Sequence, residues 1–197
     1  MRDECVVNPD KAILAFIELV SMIAFTIISL RLYRLYRLLK SINILRGAVC
    51  FSLLSMSQAL MAFSVVSDNP RTAMALYASS SVLAAGGLYS LAAPHQGNYG
   101  FITVGGLKLG ISVLDYVAGM LGLAASYNSR GVARIFLAVI GFSYMVRGAS
   151  LIANMTGVMQ GYVALLVLGE IVRATSAAVF SLFYASPGHG SGAEEED

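Results

Sequence analysis

The chain carries about six hydrophobic segments, each near the length of a bilayer-spanning helix, and little else. A helix needs roughly 20 mostly apolar residues to cross the hydrocarbon core. Between Arg46 and Asp68, and again between Arg71 and His95, runs of that length hold no charged side chain. In hydrocarbon, backbone polar groups must be satisfied within the protein, so segments this long and apolar are read as helices packed on one another. Composition agrees: with 57% hydrophobic and 12% charged residues, the chain cannot surround a soluble core with a polar surface. The fold class is therefore all-α, a polytopic integral membrane bundle.

The spans are read as residues 12–30, 44–66, 72–93, 101–126, 132–153 and 158–185, forming one bundle over 1–185. Breaks fall where helix formers give way to turn residues. Ser67-Asp68-Asn69-Pro70 is one, since Asn-Pro starts a turn and Pro cannot continue a helix. Pro94 to Asn98, Asn128 to Gly131 and Asn154 to Gly157 are three more, and the basic stretch from Arg31 separates the first two spans. Residues 186–197 are glycine-rich, end in Glu194-Glu195-Glu196-Asp197, and are expected to be loosely held. Met1-Arg2-Asp3-Glu4-Cys5 lacks a signal peptide's basic region and cleavage site, so the first span is expected to stay as an anchor.

Basic residues in short loops set orientation. Arg31, Arg34, Arg37, Lys40 and Arg46 cluster after the first span. That places this loop in the cytoplasm of a cell-membrane protein and, with six alternating spans, both termini outside. Arg130 and Arg134 then fall outside, against the rule. The basic residues at every third position resemble the charged helix of voltage sensors over ten residues. However, they follow a complete apolar span, so they are read as a cytoplasmic anchor at anionic headgroups, where each is worth about 1 kcal/mol. Arg46 precedes Ser55 as Arg134 precedes Ser143, and Tyr89-Ser90-Leu91 echoes Phe180-Ser181-Leu182. If spans one to three repeat as four to six, alternation makes the repeat a 3+3 inverted one.

The sharpest local signal is ionisable residues within spans. Glu18, Lys108, Asp115, Arg147, Glu170 and Arg173 are three acids and three bases. Each costs roughly 2.5–3.5 kcal/mol at a helix centre, so they must pair, face water or be neutralised. Glu170 and Arg173, three apart, can touch along one helix. Arg147 needs a partner from another span, with Asp115 or Glu170 the natural choice. Ser21, Thr26, Gln58, Ser112, Ser143 and Thr175 could extend the polar seam. The functional reading is an ion or proton path; the structural reading is a set of register-fixing ion pairs, which balanced charge favours. Glycines four apart (Gly106 and Gly110, Gly157 and Gly161) and Gly86-Gly87 suit close helix packing.

The two histidines, His95 and His189, lie outside the spans, so no haem or metal ligation is expected there. No cofactor loop, no protease motif and no CxxC pattern is present, and Cys5 and Cys50 are not expected to bond. A net charge of +2 gives no reason to expect nucleic acid. The reading is a non-catalytic protein whose partners are the bilayer and either other membrane subunits or further copies of itself. An accessory subunit of a membrane complex comes first. A transporter or channel using midplane carboxylates, and a sensor or adaptor, are the alternatives.

Overall fold

A computed structural model describes residues 9–92, 110–155 and 159–185. They form six helices: α1 (Pro9–Leu39), α2 (Ile42–Val66), α3 (Pro70–Ala92), α4 (Gly110–Tyr127), α5 (Gly131–Met155) and α6 (Met159–Ala185). Five of these are long and apolar enough to cross a bilayer, and the apolar described part of α4 is shorter. Residues 101–109, assigned to the fourth span, lie outside the described residues, as does the tail at 186–197.

Local chemistry sets the helix ends. Asn69 caps α3, accepting the Arg71 N–H at 3.0 Å on its side chain and the Ala73 N–H at 2.9 Å on its carbonyl. Pro70 then occupies the first helical position, where its missing N–H costs nothing. α1 runs on past its apolar span to Leu39, so at 31 residues it is roughly 46 Å long, more than the hydrocarbon thickness. It stops at Lys40, which takes the left-handed conformation usual for a helix-terminating glycine (φ 54°) and donates its N–H to Tyr36 O at 2.8 Å.

Each helix packs on its neighbours in sequence, and α6 closes back on α1, giving a ring of six. Two layers of side chains fix the direction of each helix. In one, Phe25, Phe51, Phe136 and Phe180 follow one another at centroid distances of 6.1, 5.8 and 3.8 Å. In the other, Glu18 meets Arg173 and Gln58 meets Tyr144. From the aromatic to the polar layer, residue numbers fall in α1 and α6 and rise in α2 and α5. So α1 is parallel to α6, and α2 to α5. Arg46 bonding Ser90 and Ser64 bonding Ala73 make α3 antiparallel to α2. Asp115 on Arg147 and Gly122 against Gly141 make α4 antiparallel to α5. Hence α3 and α4 run the same way, and α1–α2–α3 and α4–α5–α6 have matching directions.

This corrects two expectations. The halves repeat in parallel, related about an axis along the bundle, rather than as an inverted repeat. Pro9 and Ala185 accordingly lie at opposite ends of the bundle, so α1 does not begin on the side where α6 finishes. Strict alternation had assumed that α3 and α4 are antiparallel. The same correction removes the anomaly of Arg130 and Arg134. The α4–α5 turn shares an end with the α1–α2 turn, and Leu32, Leu91, Ser129 and Phe180 line one cavity there. All seven basic residues Arg31, Arg34, Arg37, Lys40, Arg46, Arg130 and Arg134 therefore belong to one end, which carries no carboxylate among the described residues. The other end holds the exposed pair Lys11–Asp68 at 3.3 Å, and Arg71.

The seams within each half differ in chemistry. Hydroxyls join the first half. Ser29 donates to Ala48 O at 2.9 Å and meets Ser52 at 2.7 Å; Thr26 meets Ser55 at 2.7 Å; Ser57 meets Ser80 at 3.0 Å. Glycines join the second. A Cβ on Gly141 would lie 2.8 Å from Gly119 O, and one on Gly122 would lie 2.7 Å from Gly141 Cα, so α4 and α5 touch backbone to backbone. Of the glycines singled out in the sequence, Gly87 packs against Cys50 O on α2, while Gly86 faces open space; Gly106 and Gly157 are outside the described residues.

The overall distribution is the reverse of a soluble protein's. Arg147 and Arg173 are 0% exposed, whereas Phe16, Ile135 and Leu182 are 67%, 66% and 69% exposed. An apolar exterior around a charged interior suits lipid as the surrounding medium, and the chain is a multi-pass helical membrane protein. Variants with one added cysteine, on a Cys5→Ser background that keeps the buried Cys50, test the helix directions. Ser41→Cys and Asn128→Cys should react with an impermeant maleimide from the same side of oriented vesicles, and Asn69→Cys from the other. Reaction of Ser41→Cys and Asn128→Cys from opposite sides would overturn the parallel arrangement.

Candidate functional site

Glu18, Asp115, Arg147, Glu170 and Arg173 occupy one layer, about two helical turns from the phenylalanine layer, and the pairs Asp115–Arg147 and Glu18–Arg173 bridge helices. Asp115 of α4 is fully buried. Its Oδ2 accepts from Arg147 Nε at 3.0 Å and from the Tyr77 hydroxyl at 2.7 Å. Its Oδ1 accepts from Arg147 Nη2 and from the Ser81 hydroxyl at 2.8 Å. Two parallel N–H···O bonds are the strongest arrangement a guanidinium and a carboxylate can form. Tyr77 and Ser81 are four apart on α3, so both present from one face of the helix. The acid therefore ties α3, α4 and α5 together.

Across the ring, Arg173 Nη2 of α6 donates to both Glu18 oxygens of α1, at 3.0 and 2.9 Å. Arg173 also contacts Glu170 one turn earlier on its own helix, where neither carboxylate oxygen is aligned for a hydrogen bond. Tyr144 of α5 joins the two clusters. The Arg147 guanidinium lies 4.7 Å from its ring centroid and that of Arg173 lies 5.1 Å away. Its hydroxyl accepts from Gln58 Nε2 of α2 at 3.1 Å. A ring between two cations draws on its negative face, an attraction strengthened when water is absent. Six helices thus contribute to one layer, and three of its contacts (α3–α4, α1–α6 and α2–α5) join the two halves.

The sequence-derived residues divide clearly. Asp115, Arg147, Glu18, Glu170 and Arg173 come together here; Lys108 lies outside the described residues. Gln58 belongs to the layer. Ser21 and Ser143 instead bond carbonyls of their own helices, Thr26 pins α1 to α2, and Thr175 is exposed against the lipid side between α5 and α6. Nothing of the Ser112 side chain is described. In the basic group, Arg31, Arg34, Arg37 and Lys40 are exposed, but Arg46 is half-buried and donates to Ser90 O at 2.7 Å, so it also pins α2 to α3. The sequence reading missed Glu18 as the partner of Arg173, and missed Tyr77, Ser81 and Tyr144 altogether. One signal was available: Tyr77 and Tyr144 stand well inside spans, where a hydroxyl cannot reach the interface and needs an internal partner.

Compared with known proteins, the chain matches no family model, no curated protein and no solved structure. The charge layer is thus read on its own chemistry. Among the described residues it sets three carboxylates against two guanidiniums. Asp115 is fully engaged, while Glu18 and Glu170 share one arginine.

Removing one partner of a buried pair strands the other, at about 3–5 kcal/mol, whereas replacing both by apolar groups is often neutral. Arg147→Leu should therefore destabilise the protein by about 3–5 kcal/mol in detergent unfolding, and Asp115→Leu by a similar amount. The double variant should recover at least half of the summed loss. Additive losses would mean that the two side chains do not act as a pair.

Proposed function

We propose that this protein is a non-catalytic membrane subunit, an accessory or structural component of a larger membrane complex, oriented with its basic end in the cytoplasm. Asp115 carries the reading. Its two oxygens accept four hydrogen bonds from Arg147, Tyr77 and Ser81, so it is committed to holding helices together rather than to receiving a cargo. α3 supports a partner outside the ring. It is the least apolar of the five long helices, and Ala75, Ser79 and Gly86 leave small residues on its exposed side, where another helix can approach closely. Seven basic residues at one end fit a cytoplasmic location of that end. Solubilised gently from its own membrane, the protein should migrate on native mass analysis with larger, stoichiometric partners. Recovery as a lone monomer or homo-oligomer would count against the subunit reading.

One observation favours a second reading, transport of an ion or proton. Glu18 and Glu170 meet a single guanidinium, and Glu170 makes no aligned hydrogen bond. A carboxylate in excess at an interface between repeats is where a transported cation would find its charge partner. On this reading Glu170→Gln abolishes cation or proton flux in proteoliposomes while the unfolding midpoint is retained. On the subunit reading the wild-type protein shows no flux above empty vesicles.

A further inference from the structure

The parallel arrangement has brought α6 to the basic end. Phe180, one turn from the last described residues of α6, lines a cavity with Leu32, Leu91 and Ser129, all of that end. Ala185, the last residue of α6, therefore lies at the same end as Arg34, Arg37, Lys40, Arg130 and Arg134, which are exposed. It finishes in Glu194-Glu195-Glu196-Asp197, the only uninterrupted run of four acids in the sequence. We propose that this acidic C-terminal segment docks on the basic end of its own bundle and covers it.

Charge and reach both support the assignment. Arg34, Arg37, Lys40, Arg130 and Arg134 are exposed at this end, and the described residues there include no carboxylate, so these five side chains present charge of one sign. The segment 186–197, fully extended, reaches about 40 Å at roughly 3.3 Å per residue, whereas a ring of six helices about 10 Å in diameter is some 30 Å across. Every basic residue of the end is therefore within range. Eight residues, Ser186 to Ala193, separate α6 from the acids, and none of them is Asp, Glu, Lys or Arg. Each exposed pair is weak alone, but tethering supplies a millimolar effective concentration that a free acidic peptide lacks. The consequence is a competition. Anionic lipid headgroups and acidic partner surfaces must displace the segment to reach these arginines, and a change of charge in the segment alters their access.

Disulfide trapping tests the proposal in the full chain. Asn128→Cys and Ser191→Cys are combined on a Cys5→Ser background, with Cys50 left in place because it is buried in α2. The protein is placed in phosphatidylcholine nanodiscs and oxidised at low salt. Crosslinking should slow about tenfold in 0.5 M salt, which screens exposed charges beyond a few ångströms. It should slow by a similar factor when Glu194→Gln, Glu195→Gln, Glu196→Gln and Asp197→Asn are introduced together. Asn69→Cys, at the opposite end, should not crosslink with Ser191→Cys. Unchanged crosslinking after neutralisation overturns the proposal, as does trapping at Asn69→Cys. Nanodiscs containing phosphatidylglycerol separate the rival occupant. If the rate with the acidic segment intact already equals that of the neutralised variant there, lipid headgroups hold the basic end and the proposal fails. A retained difference supports it. Size-exclusion profiles of all variants should superimpose; Asn69 and Asn128 are exposed at helix ends.

Discussion

A charge inside a hydrocarbon slab has no water to solvate it, and the rest of this structure follows from that constraint. Five charged side chains from four helices lie in one layer, and none is left facing lipid. Each arginine in it has a carboxylate from another helix, Asp115 for Arg147 and Glu18 for Arg173. At roughly 2.5–3.5 kcal/mol for each unpaired charge, an arrangement that misplaced one helix would expose two such costs at once. The layer therefore selects neighbours and directions more strongly than apolar packing can, because lipid tails compete on equal terms with leucine and phenylalanine.

The other contacts divide the work. Hydroxyl pairs join α1, α2 and α3, and backbone contact at Gly119, Gly122 and Gly141 joins α4 to α5. These act within a half. Between halves, the charges and Tyr144 act on one level and the stacked rings of Phe25, Phe51, Phe136 and Phe180 on another. Two levels about 11 Å apart, seven or eight residues along each helix, fix both the rotation and the axial position of the halves. The bundle is thus two parallel three-helix units clamped at two heights.

The parallel relation also gives the molecule its polarity. Were α3 and α4 antiparallel, the Arg130–Arg134 turn would face away from the Arg31–Arg46 segment, and positive charge would be split between the ends. As folded, the basic residues of these two stretches gather at one end, while the opposite end carries a mixed set, Lys11, Asp68 and Arg71. A consistent bias of basic residues towards one side is what sets insertion in a membrane.

Much was legible in the chain itself. Uncharged runs longer than 20 residues dictate membrane helices, because the backbone has no other way to satisfy its polar groups in lipid. Asn69-Pro70 and the Asn128–Gly131 stretch mark helix boundaries through local geometry alone, and the in-span charges announce that something must pair. The Glu170–Arg173 contact follows from a spacing of three along one helix. What sequence could not supply was anything set by distances between helices. The joining of Glu18 to Arg173, 155 residues apart, depends on the ring closing. The roles of Tyr77, Ser81 and Tyr144 depend on which face meets which neighbour, and apolar helices present several equivalent faces. The relative direction of α3 and α4 is the clearest case. Hydropathy counts spans but is blind to their sense, so alternation had to be assumed, and only the tertiary pairing of charges and rings decided it.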